Sequence, residues 1–375
     1  MELVNETGLQ AGYTLSVGTD GREALVVVVK ATYLIPTNPD GEPALAPEQA
    51  PLVMTDEFSG EPGFSAPTKE IDYAPRKPRC DILLTGSAYA PGGRATDRVT
   101  VSMRVGSVRK SFDVVGNRVW QAGTLTLGIS KPEPFTKLPI SYDRAFGGVD
   151  KAKGDPATFR WYPTNHAGVG WHEYLDTRFL NETPLPNTEE TGQPVRKPNG
   201  TYRPMAFGPV GRAWQPRPKW AGTYDQKWKD ETYPFLPADF DERYFQAAPD
   251  DQQTDYLAGG EEVELVNLTP AGRTAFRLPR LAPPVEVFPK AGGRTAVAAV
   301  VDTVVLEPDE GRFSLVLRGR YPLRRDLHEV RLVTVGEQPP GWHEERGLDG
   351  VAGRKPRYKS LAVLRTLNRP RRGGA

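Results

Sequence analysis

Arg98-Val99-Thr100-Val101-Ser102-Met103-Arg104-Val105 is followed by Gly106-Ser107 and then by Val108-Arg109-Lys110-Ser111-Phe112-Asp113-Val114. Apolar and polar residues alternate on both sides of a glycine turn, the period of a strand with one buried face. Two such strands joined by two residues form an antiparallel hairpin, wet on one side. Lys110 departs from the pattern because it stands in the apolar row, and it is expected near a sheet edge.

Strand signals continue outward from this hairpin. Tyr13 to Val17 alternates weakly, and Ala24 to Ile35 is a β-branched run bounded by Asp20-Gly21 and Pro36. Past residue 260, Val263 and Leu265 alternate with Glu262 and Glu264, and Thr295 to Leu306 is a second β-branched run. Phe313, Leu315 and Leu317 then alternate with Arg312, Ser314 and Arg318 after a turn at 307–311. The middle differs: Phe159-Arg160-Trp161-Tyr162-Pro163 and Tyr233-Pro234-Phe235-Leu236-Pro237 carry rings and prolines without a sustained period. Too aromatic for disorder, this part reads as ordered loops with a short helix near 237–246. The expected fold is mainly β, with antiparallel sheets in a sandwich-like arrangement, a long loop-rich middle and little helix. The expected organisation is an N-terminal β lobe over 1–130 and the loop region over 131–250. Strands of 251–335 pack with the first lobe, and 336–375 form a basic tail.

Composition narrows the chemistry. Glycine and proline number 38 and 37 of 375 residues, punctuation that favours short strands over helices. A net charge of +1 makes nucleic acid an unlikely partner for the whole chain, although eight basic residues and no acid follow Asp349. No apolar run reaches the ~18 residues of a membrane helix. Met-Glu-Leu-Val-Asn-Glu at the start carries no cationic segment followed by an apolar one, so a cytoplasmic location is expected. Cys80 is the single cysteine and excludes an internal disulfide; it reads as a small buried residue at a strand start. No phosphate loop, dinucleotide fingerprint or nucleophile elbow occurs. His166 and His172 stand six apart without helical spacing and read as loop histidines, so neither a metal nor another cofactor is expected.

Two functions remain to be weighed. Asp143, Asp225, Asp230, Asp239, Asp241 and Glu242 lie among tryptophans and tyrosines, as the paired carboxylates of a carbohydrate-active enzyme or a lectin-like module would. Asp239 to Glu242 also reads as the capped start of a short helix. Alternatively, the rings form a protein-binding surface, since Trp, Tyr and Arg dominate interface hot spots. Its candidate residues are Tyr142, Arg144, Phe146, Trp161, Trp171, Trp214, Trp220 and Tyr224.

A series of short stretches favours the second and leaves the first as the alternative. Val26 to Tyr33, Lys77 to Gly86, Val115-Gly116-Asn117-Arg118-Val119-Trp120 and Pro139-Ile140-Ser141-Tyr142-Asp143-Arg144-Ala145-Phe146-Gly147-Gly148 occur in order. Leu185-Pro186-Asn187, Ala206 to Pro209, Arg212-Ala213-Trp214, Ala221 to Asp225, Pro237 to Asp241, Leu257 to Glu261 and Val301 to Val304 follow. Over about residues 1–325 the chain resembles a family of type VI secretion accessory proteins, long known only as a domain of unknown function. Its members are often encoded beside the valine-glycine-repeat spike protein and a toxic effector. The resemblance implies a non-catalytic adaptor or chaperone that binds one effector and helps load it onto the spike. It carries over no active-site residue. Some relatives have a pentapeptide-repeat extension that this sequence lacks, and Asn117 stands where the family often has an acid.

Overall fold

The computed structural model describes residues 1–38, 41–123, 127–346 and 348; of the expected basic tail, 336–375, only 336–346 and 348 are among them, and its basic residues from Arg354 onward lie outside. The protein is mainly β, built on three larger sheets. A six-stranded sheet runs in the order Gln253–Thr254, Cys80–Leu84, Ala299–Glu307, Arg312–Pro322, Glu23–Leu34, Gln10–Val17. Its pairings are antiparallel except that Cys80–Leu84 lies parallel to Ala299–Glu307. A five-stranded antiparallel sheet runs Thr188–Glu189, Val108–Val115, Arg98–Val105, Glu262–Val266, Arg273–Arg277. The third sheet orders Glu2–Asn5, Val330–Val335, Val285–Pro289 and Thr295–Ala296, the first two parallel.

The hairpin that set the fold class forms as read, with Val105 opposite Val108 and Gly106 at φ 55° supplying the turn. Its apolar row, Val101, Met103, Phe112 and Val114, joins Leu25, Val27 and Leu315 of the six-stranded sheet in one core. Phe313 anchors that contact, its ring 5.1 Å from Phe276 and 5.4 Å from Tyr33. Val285, Val287, Val333 and Val335 of the third sheet close the same core.

Three expectations need correction. Thr295 to Leu306 is not one strand: Thr295–Ala296 joins the third sheet and Ala299–Glu307 the six-stranded one. The short helix near 237–246 is a single 3-10 turn, Glu242–Phe245, capped by Asp241. Val285–Pro289 and Val330–Val335 are buried strands where no strand was read. Among the described residues the α-helices are Thr177–Leu180, Gln226–Glu231 and Trp342–Glu345, and none is long and apolar enough to cross a membrane.

The run around Val26–Val29 is continuously apolar because Glu23–Leu34 is covered on both faces. Leu25, Val27 and Val29 enter the main core, while Val26 and Val28 meet Leu52 and Tyr73 of a strap formed by residues 46–77. Buried ion pairs fasten the strap. Lys30 Nζ lies 3.0 Å from Asp72 and donates to Pro51 O at 3.2 Å, and Arg217 reaches Glu70 at 2.5 Å. Arg318 pairs with Asp302 and donates to Asp72 O at 2.6 Å. Lys77 pairs with Asp81 at 2.7 Å. A cavity of about 310 Å³ remains beneath the strap, walled in part by Lys30, Glu70, Asp72, Lys77 and Arg318. Glu70 Oε2 and Arg318 Nε make no hydrogen bond, although each side chain is engaged through its other atoms.

Candidate functional site

Most of the Tyr142–Gly148 block serves the scaffold. Tyr142 is buried in the main core with its ring 5.5 Å from Trp214, which is buried too. Asp143 accepts from Ser59 Oγ at 2.7 Å and Ala66 N at 2.8 Å, pinning the strap. Arg144 donates to Asn187 at 3.1 Å. Phe146 centres a second core with Trp120, Tyr162 and Leu185, against which Trp171 and Tyr202 pack. Gly147, at φ 152°, passes so close to Asn165 that a Cβ would stand 2.3 Å from its carbonyl oxygen. The side chain of Asn165 in turn donates to Tyr142 O and Phe146 O. Close backbone approach, with no chemistry, accounts for that glycine.

The six acids considered for sugar chemistry are each engaged locally. Besides Asp143, Asp225 caps Gln226–Glu231 by accepting from Trp228 N at 2.8 Å, and Asp230 accepts from Gln226. Asp239 takes both donors of Thr223, Asp241 caps its 3-10 turn, and Glu242 pairs with Arg76 at 2.8 Å. His166 lies between Trp161 and Trp214, at 5.4 and 6.2 Å, and burial lowers its pKa. The backbone N–H of His172 donates to Pro198 O. Cys80 opens the strand Cys80–Leu84, where burial pushes its thiol well above the ordinary range. Among the described residues no three metal-ligating side chains gather.

Two features of the middle region are not absorbed by the scaffold. The first is a surface-open cavity of about 460 Å³ behind the founding hairpin. Lys110 lines it, 5% exposed; it pairs with Met103 on one side, but the short strand Thr188–Glu189 pairs only with Val114 and Asp113, so the other side of the strand is open at Lys110. Its Nζ donates to Gln252 Oε1 at 2.7 Å and Asp251 Oδ1 at 3.2 Å, leaving a third N–H. Desolvation lowers its pKa to about 8 against the pull of Asp251. Arg203 holds the other oxygen of Asp251 at 2.7 Å. Tyr142, 4% exposed, also lines the cavity, and its hydroxyl has no hydrogen-bond partner among the described residues. Burial raises the phenol pKa. Trp220 stands at the rim beneath the cations of Lys219 and Arg243, 5.0 and 5.1 Å from its ring.

The second feature begins four residues beyond Trp220. Tyr224, Tyr233 and Phe235 are 49, 69 and 47% exposed around a helix, Gln226–Glu231, that has no buried residue. Trp228 braces them: its ring meets Tyr224 at 4.7 Å and Tyr233 at 5.7 Å, both edge to face, and its Nε1 donates to Phe235 O at 2.9 Å. The group is thus a preformed aromatic knob. Of the eight ring and arginine candidates, Tyr142, Phe146 and Trp214 are buried, Arg144, Trp161, Trp171 and Trp220 are partly covered, and Tyr224 alone belongs to the knob. Trp228, Tyr233, Phe235 and Lys110 were not among them. The signal for Lys110 was available, as the cation in an apolar row.

The family described as "Uncharacterized protein conserved in bacteria (DUF2169)" matches residues 20–318, and the chain belongs to that family. No curated protein and no solved structure matches the chain.

Proposed function

We propose that this member of the uncharacterized bacterial family DUF2169 is a non-catalytic adaptor of type VI secretion. In this reading it binds one effector in the cytoplasm and helps place it on the spike protein. The observation that carries the reading is the aromatic knob. Exposed rings normally scatter singly over a surface; three gathered around a half-buried Trp228 are what a binding hot spot requires. Edge-to-face packing of Tyr224 and Tyr233 on Trp228, with the Trp228 Nε1 bond to the Phe235 carbonyl, holds the group before any partner arrives, which lowers the entropy lost on docking. The sequence resemblance supplies the system, and the knob supplies a place to bind. The carbohydrate-active alternative is weaker, because each of the acids it would use is a cap, a strap pin or an ion-pair partner.

The test is co-purification of the full chain with the effector and spike proteins encoded beside its gene. Changing Tyr233→Ser together with Phe235→Ser should weaken effector capture at least ~100-fold, since central interface rings each contribute about 2 kcal/mol or more. Undiminished capture by the folded double variant removes the knob from the interface. Failure of the native chain to capture either protein, or turnover of a glycan, removes the adaptor reading itself.

A further inference from the structure

The cavity behind the founding hairpin has donors with nothing to donate to. We propose that it receives an extended, proline-bearing segment of the client chain, whose backbone carbonyls accept from the Tyr142 hydroxyl and the free N–H of Lys110. The assignment rests on the adaptor reading for the owner of the segment and on the cavity alone for its chemistry.

Three observations select this occupant. The Tyr142 hydroxyl and the third N–H of Lys110 line the surface-open cavity without a protein acceptor in hydrogen-bond reach among the described residues, so both can donate to a ligand. Acceptors are what an extended polyproline-type segment presents, since it makes no internal hydrogen bonds. The walls match its apolar faces: Tyr162, Tyr202 and Trp220 stand with Pro204, Pro216 and Pro249 around the opening, the surface type that docks such segments elsewhere. Finally, the charges nearly cancel. Lys110 and Arg203 share Asp251, Arg217 is neutralised by Glu70, and Asp250 lines the same cavity without an ion-pair partner among the described residues, so a phosphate or polycarboxylate finds no net positive field. A neutral carbonyl fits better than an anion. The volume, about 460 Å³, lies within the range of specific ligand pockets.

Calorimetry of the full chain with capped decaproline tests the assignment, using a capped Gly/Ser decapeptide and capped single proline as comparisons. The expected result is saturable one-to-one binding of decaproline, with the other two at least tenfold weaker. Tyr142→Phe should weaken binding about fivefold and Lys110→Met about tenfold, one hydrogen bond each. The Tyr233→Ser/Phe235→Ser variant should bind decaproline as the native chain does. Absence of decaproline binding, equal binding by both cavity variants, or capped proline binding as tightly as the decamer overturns the proposal. A native chain that ignores decaproline yet captures its effector overturns the cavity assignment and spares the adaptor reading. One that binds decaproline but captures no effector does the reverse.

Discussion

The strap face and the hairpin cavity both bury lysines, and they treat them differently. Beneath the strap, Lys30, Lys77 and Arg318 each meet a carboxylate, and the pairs of Lys30 and Lys77 together with the Arg318 bond to Asp72 O tie residues 46–77 to the sheet. Behind the hairpin, Lys110 shares its carboxylate with Arg203, keeps one N–H free and lines the same cavity as a phenol that has no hydrogen-bond partner among the described residues. The strap charges are paired with carboxylates of the chain itself, although Glu70 Oε2 and Arg318 Nε stay unbonded, whereas the unused donors behind the hairpin line a cavity open to the surface. Buried charge by itself therefore says little about function; what matters is whether a ligand can reach its unused donors.

The sharpest way to break the contrast is Arg318→Met. It strands Asp302, whose carboxyl burial already holds above its ordinary 3.8 despite Arg318 and Lys77. Loss of about 3–5 kcal/mol in urea unfolding is expected. The deficit should shrink in acid, because the folded variant then takes up a proton that the unfolded chain does not bind.

Lys110 should show the opposite pH behaviour. Its folded value of about 8 lies below the ordinary 10.5, so between those limits the unfolded chain binds more protons and stability rises with pH. The rise, up to about 3 kcal/mol, is measured as the native chain minus Lys110→Met, which lacks the titration. A flat difference across that window would mean that Lys110 is hydrated in the folded protein.

Smaller effects sharpen the comparison. Tyr142→Phe removes an unpaired hydroxyl and should leave the thermal midpoint unchanged or slightly raised, within about 0.5 kcal/mol. The Tyr233→Ser/Phe235→Ser knob variant should unfold within a similar margin of the native chain, so that any loss of capture is a loss of binding. A destabilised knob variant would place those rings in the scaffold.

Legibility in the sequence followed periodicity. The 98–114 hairpin and the Glu262–Val266 strand were readable because one wet face leaves alternation behind. Glu23–Leu34 was readable as a strand, but its double burial was not, because the strap that covers it has no period of its own. Thr295 to Leu306 was misjudged because β-branched residues report an extended backbone and not the sheet it joins. Val330–Val335 is buried at every position but Arg331, so it leaves no alternation to read. In the middle region residue type suggested rings at work, yet nothing in a loop without period says which face inward. Tyr142 and Trp214 are inside, and Tyr224 is outside.

The order of strands in the six-stranded sheet also bears on how the chain is made. Glu23–Leu34 can fold back on Gln10–Val17 at once, but its other neighbour is Arg312–Pro322. At about 5–20 residues per second, the ribosome needs roughly 14–56 s to deliver that neighbour after Leu34 is made. During that interval Val26–Val29 waits with one side unpaired, on an apolar hairpin without its cover. A protein proposed to shepherd another chain thus has a long exposed adolescence of its own, and its yield should depend on translation speed and on nascent-chain chaperones.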